Sequence, residues 1–199
     1  VDGVLVGWFY EDNASFAIFR YGASEIPLYA ILIGSFTASI IPAVVNDSQW
    51  ALQEMRRKGR QYMHLFFGMN IVFMLIADPL FPFMYNEDFA QSASIFKCYL
   101  LLVLARVIFP NSFLMGKKKT HVLFRASVIE LIVNVGLSIW WVQWFGMEGI
   151  AMATVVANLV EHWGLIWWVK TRHGVSVKEY ADISTYSVWS FFLILAFVI

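Results

Sequence analysis

Five apolar stretches, each of more than 20 residues, constrain the fold of this chain more than any other feature of its sequence. A transmembrane helix needs about 20 mainly apolar residues to cross a hydrocarbon core about 30 Å thick. The mean hydropathy of +0.66 is also that of a membrane chain. The sequence therefore predicts an all-α, polytopic transmembrane bundle of about six helices. The stretches are 14–45, 62–85, 91–115, 121–145 and 147–169, with partial spans at 1–10 and 182–199.

Charged residues between these stretches are segregated by sign. Ten of the fourteen Lys and Arg residues lie in the loops 56–60, 117–119 and 170–178, whereas the intervening connections carry acidic residues and no Lys or Arg. Because basic loops stay on the cytoplasmic side, we predict a multi-pass cell-membrane protein with these three loops in the cytoplasm. Segment 46–61 mixes apolar and charged residues before its basic cluster, and it is expected to form a short interfacial amphipathic helix.

Ionisable residues inside the predicted spans are the main functional candidates, because a charge in the bilayer is costly and usually faces a bundle interior or a wet cavity. Arg106, Glu130 and Glu161 each lie nine or ten residues from the cytoplasmic end of their span. At the helical rise per residue this is a depth of about 14 Å, so we predict one charged layer across three consecutive helices. Asn134, one turn beyond Glu130 on the same face, adds a polar side chain to this region.

A second group of charged residues is predicted nearer the outside. Arg20 and Lys97 each lie about six residues into a span, and Asp78 lies seven residues before the end of another, so their depths are comparable. Glu25 falls between the two layers, directly before the Ile-Pro pair that ends at Pro27. A proline in the middle of a span predicts a kink of the kind that transporters use as hinges.

Two interpretations of these charges are open. The bases and acids neutralise one another and fix the packing of the helices, as buried charges usually do. Alternatively, they line a hydrated cavity in which the cations bind an anionic group of a substrate and the carboxylates exchange a coupling ion. The two can coexist, since a transporter can break such pairs when it changes state.

No motif in the sequence indicates an enzyme. There is no G-x-S-x-G elbow, no H-E-x-x-H pair and no glycine-rich phosphate loop, and the four histidines are scattered. Cys98 is the single cysteine, so no cysteine-based metal site is expected, and we predict neither a metal nor a cofactor. Fourteen basic and fourteen acidic residues balance, so no excess charge indicates a nucleic-acid partner.

Three segments carry a resemblance to a known superfamily. The opening VDGVLVG (1–7) precedes a long helix with Arg20 and the Glu-Ile-Pro motif at 25–27, and the turn GMEGIAMAT (146–154) follows a helix that contains Asn134. In this order they resemble the seventh and eighth and the eleventh and twelfth helices of flippases for polysaccharides and lipid-linked oligosaccharides in the MATE-like (MOP) superfamily.

The resemblance implies both an architecture and an activity. Residues 1–181 would be a C-terminal six-helix lobe with a truncated first helix, and 182–199 the start of an additional transmembrane helix. Together with the missing N-terminal lobe, the lobe would move a polyprenyl-linked oligosaccharide or polysaccharide precursor across the bilayer by alternating access. The implied substrate-binding residues are Arg20, Lys97 and Arg106. The implied ion-coupling or cavity residues are Glu25, Asp78, Glu130, Asn134 and Glu161.

Two other functions fit the same sequence. Multidrug exporters of the same superfamily share the glycine-rich turn, so an ion-coupled exporter of organic cations is one alternative. A membrane scaffold that transports nothing is the other, and it predicts a dry interior in which the charges only pair helices.

Overall fold

The computed structural model describes residues 1–24 and 26–199, so Glu25 lies outside the described residues. Every regular element in the described part is helical, which confirms the predicted all-α class. A short 3-10 turn at Glu87–Phe89 precedes α5. The helices are α1 (Asp2–Tyr10), α2 (Asn13–Gly22), α3 (Pro27–Asn46), α4 (Ser48–Met84), α5 (Ala90–Leu100), α6 (Val103–Arg106), α7 (Pro110–Gly116), α8 (Thr120–His173), α9 (Val177–Tyr180) and α10 (Ile183–Val198).

Four helical segments within the described residues are long and apolar enough to cross a membrane. They are Pro27–Asn46, Ser48–Met84, Glu87–Arg106 and Thr120–His173, and the last contains two of the predicted spans. α10 is a shorter apolar helix that packs on α4, where the Trp189 indole donates to Nδ1 of His64 over 2.9 Å. The predicted polytopic membrane bundle is therefore confirmed.

The first predicted span, 14–45, is divided between α2 and α3. Pro27 occupies the first turn of α3, where the missing amide hydrogen of proline leaves no hydrogen bond unmade. Gly22 ends α2 against α5, and a Cβ at this position would lie only 2.7 Å from Cβ of Ile95. The proline therefore marks a break between two helices rather than a bend inside one.

Segment 46–61 does not form a separate interfacial helix, so that prediction is wrong. Asp47 caps α4 by accepting the backbone N–H of Trp50 over 3.1 Å, and the helix then runs without interruption to Met84. The prolines of α4 are Pro79 and Pro82, near its end, so no proline separates its amphipathic first turns from the apolar part that follows. A helix of 37 residues is about 55 Å long, which exceeds the thickness of a bilayer, so its basic first turns project beyond the apolar span.

The third predicted span, 91–115, consists of α5, α6 and α7 in succession. Pro110 begins α7, and Phe109 before it has non-helical backbone angles. Broken helices persist in membranes only where other groups satisfy the freed backbone atoms. Here the amide of Asn70 donates to the carbonyl of Leu100 over 2.6 Å, and the hydroxyl of Tyr186 donates to the carbonyl of Leu104 over 2.9 Å.

The predicted spans 121–145 and 147–169 are the two halves of α8, which turns back on itself at Gly146. This glycine has φ 58° and ψ −139°, a conformation that other residues rarely adopt. Gly149 then allows the second half to approach the first, since a Cβ there would lie 2.5 Å from the carbonyl oxygen of Trp141. The tight connection expected at Gly146 is present.

Two apolar clusters hold the helices together. The larger joins α3, α4, α5–α7, the second half of α8 and α10, with Phe66, Phe67 and Phe113 almost fully buried. The smaller joins α1, α2, α5 and the start of the second half of α8, around Val6 and Ile95.

Candidate functional site

A polar cavity of about 300 Å³ lies between α3, the α6–α7 segment and the second half of α8. Arg106, the last residue of α6 before the break, lines the cavity, and so does Glu161 on α8. The break in the helix therefore presents a cation to the cavity. The polar residues that line the cavity are Tyr29, Thr37, Arg106, Asn111, Ser112, Asn158, Glu161 and His162.

The two carboxylates predicted at this depth are each bonded across the α8 hairpin. Glu130, on the first half, accepts a hydrogen bond from the Asn158 amide over 2.8 Å. Glu161, on the second half, accepts one from the Ser127 hydroxyl over the same distance. Asn158 and Glu161 both line the cavity, so Glu130 is linked to its wall through a single hydrogen bond.

His162, which the sequence places at a depth similar to that of Glu161 as a polar neighbour, also lines the cavity. Its side chain is 7% exposed, and its Nε2 atom has no hydrogen-bond partner among the described residues. The only sequence signal was its position beside Glu161. With Arg106 and the neighbouring hydroxyl and amide groups, it gives the cavity several hydrogen-bond donors for an oxygen-rich ligand.

A second polar cluster surrounds Asp2, at the start of α1. The Thr154 hydroxyl donates to Oδ2 of Asp2 over 2.7 Å, and the Tyr99 hydroxyl also donates to this oxygen. The Asn134 amide donates to Thr154 over 2.8 Å, while its Oδ1 atom is buried without a partner among the described residues. The structure therefore places Asn134 with Asp2 and Thr154 rather than with Glu130.

Asp2 is the principal residue that the sequence reasoning missed. The signal was present, because Asp2 is the sole charged residue in the apolar run 1–10. The Asp2 carboxylate and the Thr154 hydroxyl meet here beside the NH2 group of Asn134, and carboxylate and hydroxyl oxygens are ligands that a hard cation prefers. No group of three or more His, Cys, Asp or Glu side chains converges in the described part of the chain, so such a cation would depend on neutral oxygens.

The outer charged residues are only partly brought together. Lys97 forms an ion pair with Asp78 over 2.7 Å, with Asp78 the more exposed partner at 69%. Arg20 is exposed on α2 and lines a different cleft, of about 740 Å³, together with Asp2 and Tyr99. The layer predicted from depth thus divides into an ion pair and a cation close to the Asp2 cluster.

Comparison with known proteins places this geometry in context. Residues 12–199 match the model of a protein family described as lipid II flippase MurJ. A solved structure titled "Lipid II flippase MurJ, inward closed conformation" matches the whole chain with a TM-score of 0.76 and 20% sequence identity. The chain covers 43% of that longer chain, and at this identity the likeness shows the fold alone. No curated protein matches the chain.

Proposed function

Because the chain belongs to the lipid II flippase MurJ family, we propose that it is part of a flippase that moves a lipid-linked precursor across the membrane by alternating access. In this proposal the precursor is lipid II, and the description of the matching family supports that choice. The sequence resembled flippases for polysaccharides and for lipid-linked oligosaccharides, and the family match supports a lipid-linked cargo.

The chain would supply one lobe of the complete transporter. Residues 1–181 form the six-helix lobe in this proposal, and 182–199 begin a further transmembrane helix that packs on α4. Coverage of 43% of the longer solved chain supports a partial protein whose central cavity is completed by an N-terminal lobe. The basic loops 56–60, 117–119 and 170–178 would face the cytoplasm.

The observation that carries the proposal is the polar cavity beside Arg106. A guanidinium group with hydroxyl and amide donors is suited to the diphosphate of a polyprenyl-linked precursor, and the Glu161 carboxylate in the same lining already accepts a hydrogen bond from Ser127. Lys97 and Arg20 are further cations for acidic parts of the substrate. Lys97 would first have to break its ion pair with Asp78, and this could occur when the transporter changes conformation during alternating access.

Ion coupling is proposed at the Asp2 cluster. Asp2, Asn134 and Thr154 offer a carboxylate, an amide and a hydroxyl, and they join α1 to both halves of α8. Sodium or a proton bound at Asp2 would change the contacts among these helices. Glu25, Asp78, Glu130 and Glu161 remain candidate cavity or coupling carboxylates on the other helices.

The polar cavity weighs against a scaffold with a dry interior, since eight polar side chains line one space. The exporter alternative makes a different prediction about cargo. A full-length protein that exports organic cations and leaves lipid II in place would favour the exporter over the flippase.

Transport by the purified full-length protein tests the proposal. In liposomes that contain fluorescent lipid II, Arg106→Gln should slow translocation about tenfold or more, because a charged hydrogen bond to the diphosphate is lost. Arg57→Gln is the matched control, since Arg57 is an exposed arginine paired with Glu54 outside the cavity. Equal translocation by both variants would remove Arg106 from the binding site.

The same liposomes test the coupling ion. Wild-type translocation should change when a sodium or a pH gradient is imposed, and Asp2→Asn should abolish the response to that gradient. An Asp2→Asn protein that responds like the wild type would exclude the Asp2 cluster from coupling.

A further inference from the structure

A groove of about 720 Å³ separates the two halves of α8 at the end of the hairpin opposite Gly146. We call it the basic groove. Lys119, Arg125 and Arg172 line it near the loops, and Ile129, Leu165 and Trp167 line it further along. It is distinct from the polar cavity, although Glu161 borders both.

The basic groove carries an excess of positive charge at its mouth. Lys119, Arg125 and Arg172 come from three different points of the chain, and His121 and His173 lie beside them. Among the described residues, Glu161 is the one acid in the lining, and its Oε1 atom already accepts a hydrogen bond from Ser127. An anion at the mouth would therefore meet several donors, with the single carboxylate at the inner end.

The walls of the basic groove are apolar and open. Trp167 is 66% exposed, and Ile129 on the facing half of the hairpin is 54% exposed. Gly164 leaves the space between them clear, because a Cβ at this position would meet nothing within 4 Å. The groove thus combines a cationic mouth with an apolar channel, which matches a molecule with an anionic head and a hydrocarbon tail.

We propose that the basic groove binds one anionic phospholipid from the leaflet that borders the basic loops. The phosphate would lie among Lys119, Arg125 and Arg172, and an acyl chain would run past Gly164 between Ile129 and Leu165. Basic pockets between transmembrane helices are a recurring means of binding such head groups. This site is independent of the proposed transport activity, because none of its three cations lines the polar cavity.

Charge and size favour this occupant over two others. A free phosphate would use the cations but would make no contact with the apolar walls. The large glycan head group of a lipid-linked precursor would have to remain outside a groove of about 720 Å³. A phospholipid can contact both parts of the groove, because its phosphodiester group would meet the cations at the mouth and the first part of its acyl chains would meet the apolar walls.

Native mass spectrometry of the purified full-length protein, titrated with phosphatidylglycerol in detergent, measures the binding. Arg125→Gln combined with Arg172→Gln should weaken binding about thirtyfold, because each of the two arginines contributes a similar part of the binding free energy of an anionic lipid. Lys170→Gln combined with Lys178→Gln removes the same charge from nearby exposed positions outside the groove and should leave binding unchanged.

A second pair of variants tests the channel. Gly164→Leu places a side chain in the groove from a position where a Cβ meets nothing within 4 Å, and it should weaken binding about tenfold, because the acyl chain loses its apolar contacts. Gly136→Leu is the matched control, since Gly136 lies on the same hairpin, outside the groove and also with nothing within 4 Å of its Cβ position.

Four results would overturn the proposal. One is equal phosphatidylglycerol binding by the groove variants and their controls, and another is equal wild-type binding of phosphatidylcholine. Displacement of the lipid by inorganic phosphate alone would make the groove an anion site. Selective loss of polyprenyl diphosphate binding in the groove variants, with phosphatidylglycerol unaffected, would assign the groove to the transport substrate.

Discussion

The α8 hairpin and the broken segment α5–α7 both bring charged side chains to the polar cavity, but they are stabilised differently. The hairpin is regular on either side of Gly146, and its carboxylates Glu130 and Glu161 are bonded by side chains of the facing half. The segment that carries Arg106 is interrupted, and its free carbonyls are bonded by Asn70 of α4 and Tyr186 of α10.

The α8 hairpin is therefore held by its own side chains, whereas the broken segment α5–α7 depends on neighbouring helices. Movement of the hairpin as a unit would leave its own carboxylate bonds intact. Movement of α4 or α10 would disturb the backbone beside Arg106. The broken segment is therefore the part of the cavity wall that helix rearrangement would alter most.

The largest effect is expected at the turn of the hairpin. Gly146→Ala should destabilise the protein by about 3 kcal/mol, because alanine is strained at a positive φ and its Cβ would lie 3.1 Å from the Tyr10 hydroxyl. Thermal unfolding in detergent measures the change. Gly136→Ala, on a regular part of α8 with open space around it, should be neutral or slightly stabilising. Equal stability of the two variants would show that the turn of the hairpin does not require a glycine at position 146.

A smaller effect is expected where the broken segment depends on α4. Asn70 is fully buried, donates to Leu100 and accepts from the Tyr29 hydroxyl, so Asn70→Leu removes two hydrogen bonds. The expected loss is about 2 kcal/mol, given the measured strength of hydrogen bonds between membrane helices.

Tyr29→Phe provides the graded control for Asn70→Leu. It removes one of the two bonds and leaves the contact between Asn70 and Leu100 in place, so its unfolding temperature should lie between those of Asn70→Leu and the wild type. An Asn70→Leu protein as stable as the wild type would mean that the break needs no support from α4.

The smallest effect is expected at the exposed start of α2, the first half of the other interrupted span. Asp12 accepts the backbone N–H of Ser15 over 2.6 Å, and this hydrogen bond lowers the pKa of its carboxyl below the usual range. Because the folded-state pKa is the lower one, the stabilisation is present above about pH 4 and is lost as the pH falls through the folded value.

Asp12→Ala should therefore lower the unfolding temperature slightly at neutral pH, and the difference from wild type should disappear in acid. Asp12→Asn keeps a capping oxygen and should be close to wild type at neutral pH. A deficit of Asp12→Ala that persists unchanged in acid would show that the charged cap is not its cause.

The sequence predicted the regular parts of this fold well for a physical reason. Length and hydropathy identify a span wherever an uninterrupted helix crosses the bilayer, and Gly146 is the kind of residue that a tight turn requires. Both halves of α8 and the apolar part of α4 follow these signals.

The breaks were harder to predict because apolar residues surround them. Leu101, Leu102, Val107 and Ile108 are all buried hydrophobic residues near the ends of α5 and α6, and only Pro110 indicates an interruption. The support comes from Asn70 and Tyr186, which are distant in sequence. Pro42, in contrast, lies inside α3, which continues four residues further to Asn46.

In the candidate site, too, the sequence predicted positions along a single helix better than pairings between helices. Depth along the spans predicted that Arg106 and Glu161 would lie at one level, and both line the polar cavity. Depth could not indicate that Arg20 points to the Asp2 cleft, or that Asn134 bonds Thr154 rather than approaching Glu130. Those pairings depend on how α1 and α2 pack against the hairpin.

Photo-crosslinking from the wall of the polar cavity tests the proposed site most directly. Gly34 lines the cavity with nothing within 4 Å of its Cβ position, so a photoreactive phenylalanine can replace it in the full-length protein. Phe83, which is 89% exposed and outside the cavity, is the control position. We predict that labelled lipid II crosslinks at position 34, that excess unlabelled lipid II suppresses the product, and that position 83 gives no saturable product. Saturable crosslinking at position 83 with none at position 34 would contradict a substrate site in this cavity.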